Sequence, residues 1–169
     1  MNNSLRIYRP NQDKTKGSAI QFRAAKKKKG TPCIFIEAAK QIGEKPPPGS
    51  TESPFDWKNK LTIMLGLDEI GEIQACVKGL TWKEIKLIHK SERKGIETTA
   101  TFNLSPPLTE EAKKYGNWAF FLGISTKDNK DSVNGFITPG QIMQLSSLID
   151  RLFLDYYAPQ NEEENNNAG

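Results

Sequence analysis

Twice along this chain a series of short strand-like runs closes on one amphipathic helix, first over about residues 5–78 and again over about 81–157. Few folds accommodate that plan. A sheet served by a single helix buries one face of its strands and leaves the other for solvent or a ligand. The expected class is therefore α+β. A chain of 169 residues can bury a sizeable core without staples, as one domain or as two intimately joined halves.

Strand signals dominate the first half. Residues 5–9 and 18–24 flank a Gly-containing turn at 10–17 and read as a hairpin. In the second of these runs Ser18, Ile20 and Phe22 alternate with Ala19, Gln21 and Arg23, so one face is apolar and the other meets solvent or ligand. A basic turn at 26–30 leads into a β-rich run at 33–38. Residues 45–54 are a Pro/Gly/Ser loop that holds no regular structure. At 60–66 Leu61, Ile63 and Leu65 alternate again with polar neighbours. A helix then starts near Asp68 or Glu69, with Ile70, Ile73 and Val77 as its stripe and Gly79 just past its end.

The second half reads as strands at 83–90, 98–104 and 118–125, with Trp118, Phe120, Leu122 and Ile124 sharing a face. Residues 105–116, opened by Pro106-Pro107, read as an exposed connector. The closing helix has the clearest boundary in the chain: Thr138 as N-cap, Pro139 at the first helical position and Gln141 completing a capping box. Ile142, Leu145, Leu148, Ile149, Leu152, Phe153 and Tyr156 then recur at helical spacing. That stripe is either ordinary core or in part a contact with a second subunit. From Asn161 the chain is polar, with Glu162, Glu163 and Glu164 followed by asparagines, and is expected to be disordered. The division is thus a domain over 1–158 and a tail over 159–169.

Charge is segregated. Residues 1–30 carry nine Lys/Arg against Asp13 alone, while the rest carry fifteen basic and nineteen acidic side chains. Such an edge attracts polyanions, or is simply a solvated basic turn at 26–29. Cys33 and Cys76 lie in no metal or redox spacing and read as reduced core thiols of an intracellular protein. No run of about 18 apolar residues exists to span a membrane, and the first residues lack a secretory apolar stretch.

Catalytic patterns are missing from the sequence: no phosphate-binding glycine loop, no H-E-x-x-H, no G-x-S-x-G and no EF-hand loop. His89, the one histidine, has no Ser or Cys partner nearby in sequence. Enzymatic activity, a metal and a cofactor are not expected. Binding is. The basic half interleaves cations with flat or hydrogen-bonding side chains (Arg6, Tyr8, Arg9, Lys16, Gln21, Arg23), the mixture that suits single-stranded nucleic acids. Neither helix has the basic face of a duplex-reading recognition helix. For Tyr8, Trp57 and Trp118 the competing readings are base contact and plain core packing.

Phe55-Asp56-Trp57-Lys58-Asn59-Lys60, then Asp68-Glu69-Ile70-Gly71-Glu72-Ile73, resembles the aromatic-Asp-Trp and Glu-Ile-Gly block of the Whirly single-stranded-DNA-binding proteins. Lys16-Gly17-Ser18-Ala19-Ile20 is similar to their Lys-Gly-Lys-Ala-Ala stretch, with Ser18 where the family has its second lysine. Leu87-Ile88-His89-Lys90 and the strand-to-helix segment 136–157 follow in the expected order. The resemblance spans about residues 5–158 and its weight lies in order and spacing. It implies two antiparallel four-stranded sheets, each followed by a helix, and helices packed at the centre of a homotetramer. It further implies binding of single-stranded DNA with little sequence preference, in replication, repair, recombination or transcription. Related folds bind guide RNA or serve as transcriptional cofactors, so RNA and protein partners are the alternatives.

On alternation and likeness together, the phosphate contacts are expected at Lys14, Lys16, Arg23, Lys26, Lys27, Lys58 and Lys60, and Arg6 belongs to the expected nucleic-acid-binding set without a separate role. Tyr8, Phe35 and Trp57 are the stacking candidates. Gln21 and His89 are the candidates for base edges.

Overall fold

The computed structural model describes residues 3–158; the tail that the sequence marks as disordered lies outside them. In the first half β1 (Ser4–Arg9), β2 (Ser18–Lys26), β3 (Pro32–Lys40) and β4 (Leu61–Leu65) pair antiparallel in chain order, followed by α1 (Leu67–Val77). In the second, β5 (Ile85–Arg93), β6 (Ile96–Ser105), β7 (Trp118–Ser125) and β8 (Lys130–Ile137) do the same. A short α2 (Glu110–Tyr115) interrupts the β6–β7 connection, and α3 (Pro139–Tyr157) follows β8. The class is α+β: two four-stranded antiparallel sheets, each succeeded by a helix.

Period-two alternation builds one shared core. Ile20 and Phe22 on β2, Ile34 and Ile36 on β3, and Ile63 and Leu65 on β4 face Phe102, Leu104, Phe120, Leu122 and Ile137 of the other sheet. Ile70 and Ile73 of α1 and Leu145 and Ile149 of α3 join the same cluster. Each such side chain contributes about 1.5–3 kcal/mol on full burial, so the two halves fold as one unit. The sheets come close where β2 meets β8. A Cβ on Gly135 would stand 2.5 Å from the Ser18 hydroxyl, so glycine is what lets the strands approach. The Arg9 guanidinium lying 4.5 Å over the Phe136 ring, and a Lys40–Asp131 ion pair, tie the sheets together at their rims.

Both helix starts match the chemistry read in the sequence. Glu69 accepts a hydrogen bond from the Gly66 N–H at 3.0 Å. The Thr138 hydroxyl accepts from the Gln141 N–H, and the Gln141 side chain accepts in return from the Thr138 N–H at 3.0 Å. Most of the closing stripe is core within a single chain. Ile142, Leu145, Leu148, Ile149 and Leu152 are buried, while Tyr156 is exposed.

Two features depart from the sequence reading. The connector over 105–116 contains α2, capped by the Thr109 hydroxyl and ended by Gly116 at φ +67, and Pro106 and Pro107 are buried rather than exposed. β8 has no counterpart among the runs read from the second half. Its sequence KDSVNGFI places only Val133 and Ile137 in the core and presents polar side chains elsewhere, which blurs the strand signal.

Candidate nucleic-acid interface

Core packing uses one parity of β1–β4 and leaves the other parity facing outward. Register aligns that outward set in rows. Arg6, Gln21, Glu37 and Thr62 stand opposite one another in turn; Tyr8, Ala19 and Ala39 form the next row; Arg23, Phe35 and Met64 form a third.

The segment between β3 and β4 folds back over this face. The N–H groups of Ile42 and Gly43 both donate to the Pro54 carbonyl, and the Asp56 N–H donates to the Lys40 carbonyl. That return carries Phe55 onto Ala19 and Ala39, where it is buried, with Trp57 packed beside it in a single 3-10 turn (Trp57–Asn59). The Tyr8 ring stacks on Phe55 at 5.8 Å and meets Trp57 edge-on at 6.3 Å. Tyr8 remains 45% exposed. The result is a groove of about 900 Å³. Arg6, Gln21, Arg23 and Glu37 line it from the sheet, Tyr8, Phe55 and Trp57 form an aromatic wall, and Pro46 and residues 50–54 form the opposite rim.

Gln41 fixes the turn beside this groove. Its Oε1 accepts from the Asn11 N–H, and its Nε2 donates to the carbonyls of Asn11 and Gly43. Gly17 leaves the space for it, since a Cβ there would lie 1.7 Å from Gln41 Oε1. Lys14 and Lys16 project from that turn. Asp13 accompanies Lys16 at 3.3 Å. The Thr15 hydroxyl and N–H, and more weakly Lys16, hold the Asp13 carboxyl below its usual range.

No protein-family model matches the chain, and no curated protein matches its sequence. Solved structures do match. WHY1 from Arabidopsis thaliana aligns with a TM-score of 0.63 at 15% identity, over 95% of this chain and 96% of that one. The plant transcriptional regulator PBF-2 aligns with a TM-score of 0.59 at 14% identity, over 89% of this chain and 80% of that one. A guide-RNA-binding protein complex bound to a gRNA gives 0.62 at 12% identity, over 95% and 96%. The fold is Whirly-like.

Within this Whirly-like frame the residues singled out in the sequence lie in several separate places. Arg6, Tyr8, Gln21, Arg23, Trp57 and Lys60 all line the groove, with Lys58 exposed next to Trp57. Lys14 and Lys16 sit at the groove end of the hairpin, whereas Lys26 and Lys27 lie about 26 Å away along β2 at about 3.3 Å per residue. There Lys26 borders α3 beside Arg151 and Asp155, and the Lys27 ammonium lies near Gly66. His89 is elsewhere. It sits on β5, with Nε2 2.5 Å from the Glu69 carboxylate of α1, so the structure does not bring it to the groove.

Several side chains are more engaged than strand alternation implied. The Arg23 guanidinium lies 4.6 Å over the Phe35 ring, covering one face of a stacking candidate. Arg23 and Lys60 both approach Glu37, at 3.6 Å and 2.7 Å. Ser18 is buried against Gly135, so the position where the resembled family carries a lysine points into the sheet junction and not into the groove. Trp118 is core, edge-on to Trp82 at 5.7 Å. Phe55 and Glu37 were absent from the sequence-based site. Phe55 was visible only as part of a motif. Glu37 had a usable signal, since it lies two residues from Phe35 on the same strand and so shares its face.

Proposed function

We propose that this Whirly-like chain binds single-stranded nucleic acid, DNA in particular, along the outer face of the first sheet. In this reading it coats or protects exposed strands in replication, repair, recombination or transcription, without catalysis. The observation that carries the reading is the groove itself: an aromatic wall in which an exposed Tyr8 and a half-buried Trp57 pack on buried Phe55, bordered by Arg6, Arg23, Lys58 and Lys60, with Lys14 and Lys16 beyond its end. Cations there favour approach of phosphates, and a ring face takes up an unstacked base at about 1–3 kcal/mol. Base-paired DNA hides its ring faces and gains nothing from that wall.

The aligned structures support the reading, since one is a transcriptional regulator and another is bound to a gRNA. The gRNA complex also gives RNA a specific claim as the alternative ligand. Assembly is proposed through the helices as a homotetramer, because Met143, Leu154 and Tyr157 of α3 remain exposed in the single chain.

Competition decides among these. Labelled oligo-dT bound to the protein is challenged with unlabelled oligo-dT, oligo-rU and a duplex of equal length. Displacement by oligo-dT and not by duplex is expected. Stronger displacement by oligo-rU selects the RNA reading, and no saturable complex at moderate salt rejects strand binding in favour of a protein–protein cofactor.

A further inference from the structure

The floor of the groove is not what a surface made only to hold phosphates needs. Gln21 and Glu37 stand directly opposite one another on β2 and β3, and both are more than nine-tenths buried, at 7% and 5% exposure. Glu37 Oε1 faces Lys60 and Arg23, while Oε2 accepts no hydrogen bond among the described residues. The Gln21 amide, which also lines the groove, makes no hydrogen bond among them either. Neither Gln21 nor Glu37 is among the residues with a fully enclosed unpaired polar atom, so with their stems buried these two side chains open their polar ends onto the groove, where a ligand can pair with them. An acid at the centre of a cationic face also repels phosphates, so a purely coating surface loses by its presence.

The pair has a definite hydrogen-bonding character. A carboxylate only accepts, with room for two donors, and an amide offers one group of each kind. Tyr8 and Trp57 line the same groove as this floor, and Tyr8 lies two residues from Arg6, the register partner of Gln21, so a base resting on that wall can present its edge to Gln21 and Glu37. Unpaired bases are read on their pairing edges in this manner. Among the four bases only guanine presents two adjacent N–H donors, at N1 and N2, beside a carbonyl acceptor at O6. Thymine has one donor between two acceptors, and adenine and cytosine each place an amino group next to an acceptor nitrogen.

We propose that the groove reads guanine, with Glu37 accepting from N1–H and N2–H and Gln21 donating to O6. Binding to single strands is then biased toward guanine rather than neutral in sequence. This rests on the strand-binding reading of the same face.

The test measures the affinity of the full chain for oligo-dT carrying one central dG, dA, dC or deoxyinosine, and for unsubstituted oligo-dT. The wild-type protein is expected to favour the dG strand by about tenfold, and deoxyinosine, which lacks the N2 amino group, to keep only part of that gain. Glu37→Gln is expected to lose the preference, read as the ratio of that variant's affinities for the dG strand and for unsubstituted oligo-dT, so that any change in strand binding as a whole cancels. Gln21→Met, which preserves volume, is expected to weaken the preference, with circular dichroism confirming that it folds. Equal wild-type affinity for all substituted strands overturns the guanine assignment and leaves strand binding standing. A Glu37→Gln protein that tightens on every strand alike and keeps the dG preference overturns the assignment too, and reduces Glu37 to a holder of Arg23 and Lys60. Absence of a saturable complex with any strand refutes both readings together.

Discussion

Tyr8 and Lys16 test different parts of the interface because one offers a ring and the other a charge. Tyr8→Ala removes an exposed ring stacked on Phe55 and is expected to weaken oligo-dT binding by about 1–3 kcal/mol, with the salt dependence unchanged. Lys16→Ala is expected to flatten the log–log salt slope by about 0.7. Arg23→Ala flattens it by less, because Glu37 already lies against that guanidinium. Titration at several salt concentrations measures both quantities, and an unchanged slope in Lys16→Ala removes Lys16 from the interface. Alternation made the outward parity of Gln21 and Arg23 legible in the sequence. It could not show that Phe55 returns over Ala19, because that depends on a fold-back held by Pro54 and Lys40 carbonyls. His89 illustrates the same limit, since its partner Glu69 lies on another element, 20 residues away.

Elements were readable where local chemistry sets their ends. The Thr138–Gln141 capping box marked the start of α3, and Thr138→Ala is expected to cost about 1 kcal/mol of stability, read as a lowered urea midpoint. The Arg9 Nη2 donates to the same Gln141 side chain at 2.6 Å, so the cap also ties α3 to β1. The contact between α1 and α3 was not readable, because it joins side chains more than 70 residues apart. Asp150 accepts from Lys78 Nζ and from Gln74 Nε2, each at 2.7 Å. The Lys78 hydrogen bond foremost, and Gln74 after it, hold the Asp150 carboxyl below its ordinary value against the opposing effect of burial. A carboxylate with a lowered folded pKa stabilises above its unfolded value, near 3.9, and loses that contribution as pH falls through the folded value. Asp150→Asn is therefore expected to lower the denaturation midpoint at neutral pH and to match the wild type at strongly acid pH. The effect is small, because both partners are nearly half exposed. A difference that persists undiminished in acid contradicts this account. β8 and α2 escaped the sequence for an opposite reason: polar β8 lacks the alternation of a strong strand, and α2 buries no side chain.

Across the whole molecule, the two strands-then-helix rounds were legible because each repeats the same binary pattern, and that pattern needs only one core to satisfy it. Segregation of charge into the first 30 residues put the proposed polyanion surface in the first half. The apolar remainder of α3 supplies the prediction at this scale. Leu154→Glu, at a side chain 70% exposed in the single chain, is expected to lower the solution mass from that of an assembly toward that of a single chain. A wild-type mass already equal to one chain removes the tetramer from the proposal. The central claim concerns location: unpaired strands are held on the outer face of β1–β4. Hydrogen–deuterium exchange with and without saturating oligo-dT tests it most directly. Slower exchange in the turn over residues 10–17 and in the segment 41–60 is expected, and protection confined to β5–β8 and α3, with those two segments unchanged, would contradict it.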